Sequence, residues 1–567
     1  MKKIILIPLL YFNLILSGAI YYVSPTGNDG AAGTIDAPWL TWDYVFNDAP
    51  VTAGDTVYFR DGIYDNTDGA GGIHITKDGT ITDTLKYWAY PGEKPILDCS
   101  NVTSAISNLN YGINSGTVNY VHFKGLTVRN VWTFDETDEA IGWSISGSNT
   151  VIENCTVYNT HGRGFRTGSS TYEMHFINCD SYNHCDSLNT DDLPGNDGYG
   201  WFIENTSNAT GSVYLKGCRA WNCGDDGFTC YSIGYIEFDN CWGFLNGQLQ
   251  GGGDGFKLGF SPGSTVNAIL RRTVKNCVAV YNRHTGYNLN DNNDYPVQYM
   301  NLYNNIAYRN YDFSNDYASS ARGFLVYNTA DTDAEELHRV FRNNIAYGNN
   351  VNAGDLNIDV DAGAQYTHSN NTWDIPITLT DADFVSLDST GLTAERQADG
   401  SLPNNACYNS FLHLDDESQA IDRGIDVGID YVGSAPDLGP FEWNDYDAPP
   451  PIVSTTYPTI VTSRRIVTGG FIIEDYDESI VRKGVCWNTT GTPTEADNIV
   501  FAGTGSTSYT VTISGLSANT TYYVRAYAFT ESGTGYGNTY EITTDKWSYL
   551  YLNGKIATRN GKPQYIE

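Results

Sequence analysis

The chain has 567 residues, a formal net charge of −34, 17% charged residues and 13% aromatic residues, including 42 tyrosines. Such a chain can bury a large core, which excludes global disorder. Its acidity excludes nucleic acid as the partner, because phosphate contacts need lysine and arginine, and means that an acidic polymer would bind only where a local cation overcame the repulsion.

The chain opens with MKKIILIPLLYFNLILSGAI, two lysines before an apolar run of signal-peptide length, with Ser17 and Ala19 as the small residues of a cleavage site. Residues 1–19 are therefore expected to be an export signal and the protein to be secreted. No later stretch is apolar over the length that spans a membrane.

Over residues 20–445, short apolar strands closed by asparagine recur as FKGLTVRN, IENCTVYN, FINCDSYN, LKGCRAWN, FDNCWGFLN, VKNCVAVYN, YNNIAYRN and FRNNIAYGN. Helical periodicity is scarce. Short strands repeating with variable insertions predict an all-β parallel solenoid, in which no coil buries its own inner face and coils must stack. Cys155, Cys179, Cys218, Cys241 and Cys277 hold one repeat position, which predicts a buried stack of small apolar side chains rather than disulfides. Asn159, Asn183, Asn222 and Asn282 are expected to form turn ladders.

A second ladder pairs glycine with an aromatic residue at Gly164-Phe165, Gly198-Tyr199, Gly227-Phe228, Gly255-Phe256, Gly286-Tyr287 and Gly323-Phe324. One coil per step would stack these rings inside, at about 4.8 Å. Before the glycines stand Arg163, Asp197, Asp226, Asp254, Thr285 and Arg322; after the rings stand Arg166, Gly200, Thr229, Lys257, Asn288 and Leu325. Alternation turns Phe256, Leu258 and Phe260 inward and Lys257 outward. The expected site is thus a solvent-facing lysine near Asp197, Asp226 and Asp254 in register, with Asp225 beside Asp226. A lone Asp-Gly only makes a turn. Three in register would raise one another's pKa unless a cation sat among them, and calcium suits a hard, all-oxygen site.

A metal beside a lysine suggests β-elimination on a uronate polymer. The metal would neutralise the sugar carboxylate, and neutral Lys257 would take the C5 proton. Calcium would have to lower the lysine pKa from about 10.4, giving an alkaline optimum. Arg166, about three coils away in the lysine column, could hold a distant sugar carboxylate, and Asn288, one coil beyond, a hydroxyl. Arg271 and Arg272 follow in an insertion, and His161, His184 and His284 lack metal-ligand spacing.

The phrases GNDGYGW, GDDGFTC and GDGFKLG, in that order, resemble the polysaccharide lyase family 9 pectate lyases. YYVSPTGNDG with AGDTVYFRDGIY is similar to that family's N-terminal cap and first coil, and NCVAVYNRHTGYNLNDN to the coil after its lysine. SQAIDRGIDVGIDYVGSAPDLGPFEW resembles the closing segment of exported β-helix proteins, so the likeness spans residues 21–445. It implies a right-handed β-helix and a calcium-dependent lyase acting on a pectate-like acidic polysaccharide. Lys257 matches the base, and Asp197, Asp225 and Asp226 match calcium ligands. Thr229 stands where the family usually has a further aspartate, and Asp254 where it usually has asparagine.

Two rival functions compete with this one. A β-helical glycoside hydrolase of the polygalacturonase type would carry a similar Asp-Asp pair, but also a Gly-His-Gly and an Arg-Ile-Lys, neither of which occurs. In a non-catalytic adhesin or glycan-binding protein the acids would be structural. Only a lyase makes an unsaturated uronate.

After a proline-containing linker at 446–455, alternating segments such as RRIVTGGFII, VRKGVCWN and TTYYVRAYAFT predict a small β-sandwich over 456–545. GLSANTTYYVRAYA resembles fibronectin type III modules. Residues 546–567 carry two Asn-Gly turns and read as a hairpin appendage. The protein is expected to act as a monomer.

Overall fold

The computed structural model describes residues 18–566 apart from 67–68, 104–108, 135–138, 189–193, 260–269, 291–298, 312–320, 328–338, 350–356, 365, 444–449, 477, 531 and scattered positions after 546. The expected export signal lies outside the described residues as far as residue 17. The chain divides into two units, 1–443 and 444–567.

The first unit is a solenoid with three parallel walls. Wall one begins at Ile20–Val23 and ends at Thr367–Ser369. Wall two runs from Ile73–His74 to Ile358–Val360, and wall three from Gly62–Asp65 to Ile345–Tyr347. The long strand Glu139–Glu153 serves two walls, pairing Ala140–Ile145 with Gly162–Thr167 and Ser148–Glu153 with Tyr172–Ile177. Trp42, Val45 and Phe46 of the short helix Trp42–Asn47 pack into the core of the first coils.

Inside wall two, Trp143, Phe165, Trp201, Phe228, Phe256, Tyr287 and Phe324 stack, with successive centroids 6.0, 5.1, 4.9, 4.8, 5.0 and 4.8 Å apart. One rung differs from expectation: Gly200-Trp201, not Gly198-Tyr199, continues the ladder. The phrase GNDGYGW offers two glycine–aromatic pairs, and the first is used up in a turn. Asp197 has a left-handed φ of 63°, and Tyr199 N–H donates back to Asp197 O at 3.0 Å. Gly200 is then required by close approach, since a Cβ there would lie 2.5 Å from Gly227 O. The slip moves Phe202 into the lysine column in place of Gly200, and Tyr199 into the place before the glycine in place of Asp197.

Cys155, Cys179, Cys218, Cys241 and Cys277 are fully buried and unbridged. The asparagines form two kinds of ladder. Asn159, Asn183 and Asn222 sit at left-handed φ, each amide donating to the side chain one coil back. Asn282 belongs to a buried series, Asn246–Asn282–Asn310–Asn349, with 2.9 Å amide bonds at each step. No helix among the described residues is long and apolar enough to cross a membrane.

In the second unit, antiparallel strands Ile452–Val461, Ile466–Glu474 and Tyr509–Ile513 form one sheet. Asn498–Phe501, Arg482–Asn488, Thr521–Thr530, Gly533–Tyr536 and Tyr540–Thr543 form another. Ile466 and Ile513 of the first share a core with Val485, Val524 and Ile542 of the second. The first strand starts at Ile452, inside the stretch expected to be linker, because alternation begins immediately after the prolines. At the end, Tyr551–Leu552 pairs with Lys555–Ile556 and Thr558–Arg559 with Lys562–Pro563, two antiparallel pairs where one hairpin was expected; the Asn-Gly pairs themselves lie outside the described residues.

Candidate active site

Lys257 owes its position to its neighbours. Phe256 and Leu258 are fully buried, so the pleat turns Lys257 to the outer face of wall two. Register sets Arg166, Phe202, Thr229, Lys257, Asn288 and Leu325 in one column. The lysine side chain is 26% exposed, and its Nζ lies 3.1 Å from Oδ2 of the wholly buried Asp226.

Asp226 is held from three sides. Its Oδ1 accepts the Asp254 N–H (2.9 Å), and its Oδ2 accepts the Thr229 hydroxyl (3.0 Å) as well as facing the lysine. Thr229 thus adds a hydroxyl to the cluster. Asp225 Oδ1 accepts the Gly252 N–H at 2.8 Å. A Cβ on Gly252 would lie 2.4 Å from Asp225 Oδ1 and 3.1 Å from Asp226 Oδ1, so both carboxylates converge on one small space that glycine leaves open. Burial, with Asp226 alongside, pushes the Asp225 carboxyl up to about 8. Asp226, with Asp225 and Asp254, outweighs burial and holds the Lys257 ammonium above its ordinary pKa. Left to protein groups alone, the lysine is therefore an acid-paired cation, the opposite of what a base needs.

Asp254 belongs to a separate arrangement. Its Oδ1 accepts the Thr285 N–H (3.0 Å) and faces His284 Nδ1 (2.7 Å), while Oδ2 accepts the Asn288 amide (2.7 Å). Burial pushes its carboxyl up, but His284, Lys257 and Asn288 outweigh burial and keep it low. Its oxygens are occupied by the coil above it, and Asn288, expected to meet a sugar hydroxyl, is spent on this bond. Asp197 does not stack with Asp226 and Asp254. The extra turn at residues 197–199 places its Oδ1 3.4 Å from Arg163 Nη2. Arg166 gives both Nε (3.0 Å) and Nη2 (2.7 Å) to Glu204.

The other sequence candidates fall outside the cluster. Arg272 is fully buried and donates to the carbonyls of Leu258, Gly234, Arg271 and Ser232, and Arg271 donates to Ala209 O. His184 is buried between Thr160 and Ser181 and pushed down to about 3 by burial, hence neutral. His284 lacks metal-ligand spacing, yet the structure brings it to Asp254. Its signal was positional: it stands two residues before Gly286, as Asp225 stands two before Gly227. A cleft of about 460 Å³ lined by Tyr90, Lys124, Tyr158, Arg219 and Arg396 shares none of these residues.

Among the described residues, no three acidic, histidine or cysteine side chains close on a common point. The fit for a cation rests on Asp225 and Asp226, which are hard oxygen donors, buried, adjacent and open on the Gly252 side.

Comparison with known proteins agrees with this architecture. The family described as "Pel9A-like, right handed beta helix region" matches residues 21–332. Pectate lyase L of Dickeya dadantii (strain 3937) is 28% identical over 441 residues, covering 75% of this chain and 91% of the relative. Pectate lyase PEL9 of Emericella nidulans is 27% identical over 421 residues, 69% of this chain and 92% of the relative. A solved structure titled "Rhamnogalacturonan lyase" is 24% identical with a TM-score of 0.54, covering 68% of this chain and 95% of that one, a likeness of fold. The matched coils carry both the ring ladder and Lys257, and the chain belongs to the Pel9A-like right-handed β-helix family as a polysaccharide lyase.

Proposed function

We propose that the protein is a secreted, calcium-dependent lyase of a pectate-like polyuronate and that Lys257 is its base. The observation that carries this is the single amine, 3.1 Å from a buried carboxylate whose neighbour, Asp225, is held near 8. Asp225 and Asp226 would hold calcium through the space beside Gly252, joined by Asp197 once it leaves Arg163. When bound, calcium would neutralise the sugar carboxylate and the carboxylate field that keeps Lys257 charged, favouring loss of the C5 proton.

The chain's own groups do the rest. The inward anchors Phe256 and Leu258 fix the direction of Lys257. Thr229 and the Asp254 N–H fix Asp226, so that carboxylate cannot follow the amine toward the sugar. Neutral Lys257 takes the C5 proton, the C4–C5 double bond forms, and the bond from C4 to the glycosidic oxygen breaks with its electron pair. No water is added. Asp254 is spent on His284 and Asn288 and serves as scaffold.

The test is the rate of unsaturated product formation from polygalacturonate by the wild type and Lys257→Ala, with calcium and with chelator. The wild type with calcium is expected to be the active case. Equal rates for the two proteins would remove the lysine from the mechanism, and activity surviving exhaustive chelation would remove calcium.

A further inference from the structure

Arg163 lies on the coil before Asp197, in the strand Gly162–Thr167. Its Nη1 is 3.0 Å from Glu139 and its Nη2 3.4 Å from Asp197. The guanidinium carbon sits 4.3 Å from the centre of the Phe202 ring and 5.9 Å from that of Tyr199. The side chain is 11% exposed, and its buried Nε has no hydrogen-bond partner among the described residues. A buried guanidinium donor without an acceptor is costly, and the fork of Nε and Nη is shaped for a planar carboxylate. The Asp197 bond is long, and Asp197 is itself 29% exposed. Phe202 is in the Lys257 column two coils earlier, so this fork stands roughly 10 Å along the axis from the amine.

We propose that Arg163 is a second carboxylate-binding subsite that takes the uronate of a neighbouring sugar in exchange for Asp197. The sugar carboxylate displaces the long Asp197 bond at Nη2 and takes up the unpartnered Nε donor beside it. Asp197, released on its exposed side, turns to the cation held by Asp225 and Asp226. Substrate and cation then each favour the other's binding, a reciprocal coupling through one side chain. The exchange also explains why Asp197 stands apart from the cluster: with Arg163 available, an uncompensated third carboxylate is stored against a guanidinium. The proposal rests on the reading that the substrate is an acidic polymer.

Calorimetry on the full chain tests it in two arms. In the first, saturated trigalacturonate and its methyl ester are titrated into Lys257→Ala protein containing calcium, with and without Arg163→Ala. Loss of the fork should weaken the acid by about 10-fold or more and leave the ester unchanged; Arg163→Lys should fall between. In the second, calcium alone is titrated into the wild type and Arg163→Ala. Freeing Asp197 should tighten calcium several-fold, an effect that a merely structural arginine would not produce. Equal loss of acid and ester, or unchanged acid affinity, overturns the subsite. If trigalacturonate binds neither protein, the polyuronate reading fails, and the calcium arm still decides: no tightening in Arg163→Ala overturns the exchange. Should Arg163→Ala not fold, Arg163→Lys carries both arms, with smaller shifts of the same sign.

Discussion

Two buried acid clusters in the solenoid make opposite use of carboxylates. On wall three, Asp180 lies between two guanidiniums: Arg219 Nε at 2.9 Å and Nη2 at 2.5 Å, and Arg396 Nε at 2.8 Å. Both arginines also donate to main-chain carbonyls, Arg219 to Ala394 and Arg396 to Gly400 and Gly217. Burial pushes the Asp180 carboxyl up, but Arg396 and Arg219 outweigh it and hold it low. On wall two, Asp225 and Asp226 share one ammonium, and Asp225 is driven up to about 8. The first cluster has cations in excess, with each donor satisfied, and staples residues 394–400 to the wall. The second has acid in excess, with an open side. A carboxyl driven far from its ordinary pKa beside an open side marks a candidate functional site, whereas one held low by its own protein partners does not.

The largest expected effect separates the clusters by function. Lys257→Ala should lower the lyase rate by roughly 10²–10⁴-fold, the usual worth of a general base. Asp180→Asn should leave the rate per folded molecule intact. Stability reverses the order: Asp180→Asn strands two buried guanidiniums and should cost about 3–5 kcal/mol in urea unfolding, whereas Lys257→Ala should cost far less.

The clusters should also answer pH with opposite signs. Asp225 is raised when folded, so its contribution is complete below its unfolded pKa and is lost as pH rises toward about 8. Asp180 is lowered, so its contribution is complete above its unfolded pKa and is lost as pH falls. In chelator, thermal scans should therefore show a melting temperature that declines between about pH 4 and 8. Asp225→Asn should flatten that decline, and calcium should abolish it. A decline of equal slope in Asp225→Asn would assign it elsewhere.

A smaller effect is expected from Thr229→Asp, which adds the carboxylate that family members usually carry. Calcium affinity should rise several-fold by titration. The smallest is His284→Ala, which removes one of the two partners of Asp254 Oδ1 but leaves the Thr285 and Asn288 bonds in place. The rate should fall by less than Lys257→Ala lowers it, with KM barely moved.

Much of this was legible in one chain. Repeated asparagine-closed strands and glycine–aromatic pairs set a stacking rule, and the rule put Lys257 outward and near Asp226, because strand alternation and coil spacing are local properties. It went astray at GNDGYGW, where two pairs satisfy the same pattern. Only the packing of Trp201 between Phe165 and Phe228 chooses between them. The two-residue slip changed the tenants of a whole column.

The amino-acid order by itself determined the stacked all-β architecture, the outward lysine and the adjacent Asp225–Asp226 pair, since each follows from periodicity along the strand. Only the tertiary structure decided which carboxylates face a cation and which are already spent. Asp254 is taken by His284 and Asn288, Asp197 by Arg163, and Arg166 by Glu204. Those partners come from neighbouring coils some thirty or more residues away. A side chain's charge is written in the chain, but what remains of it for chemistry depends on what the fold brings within reach.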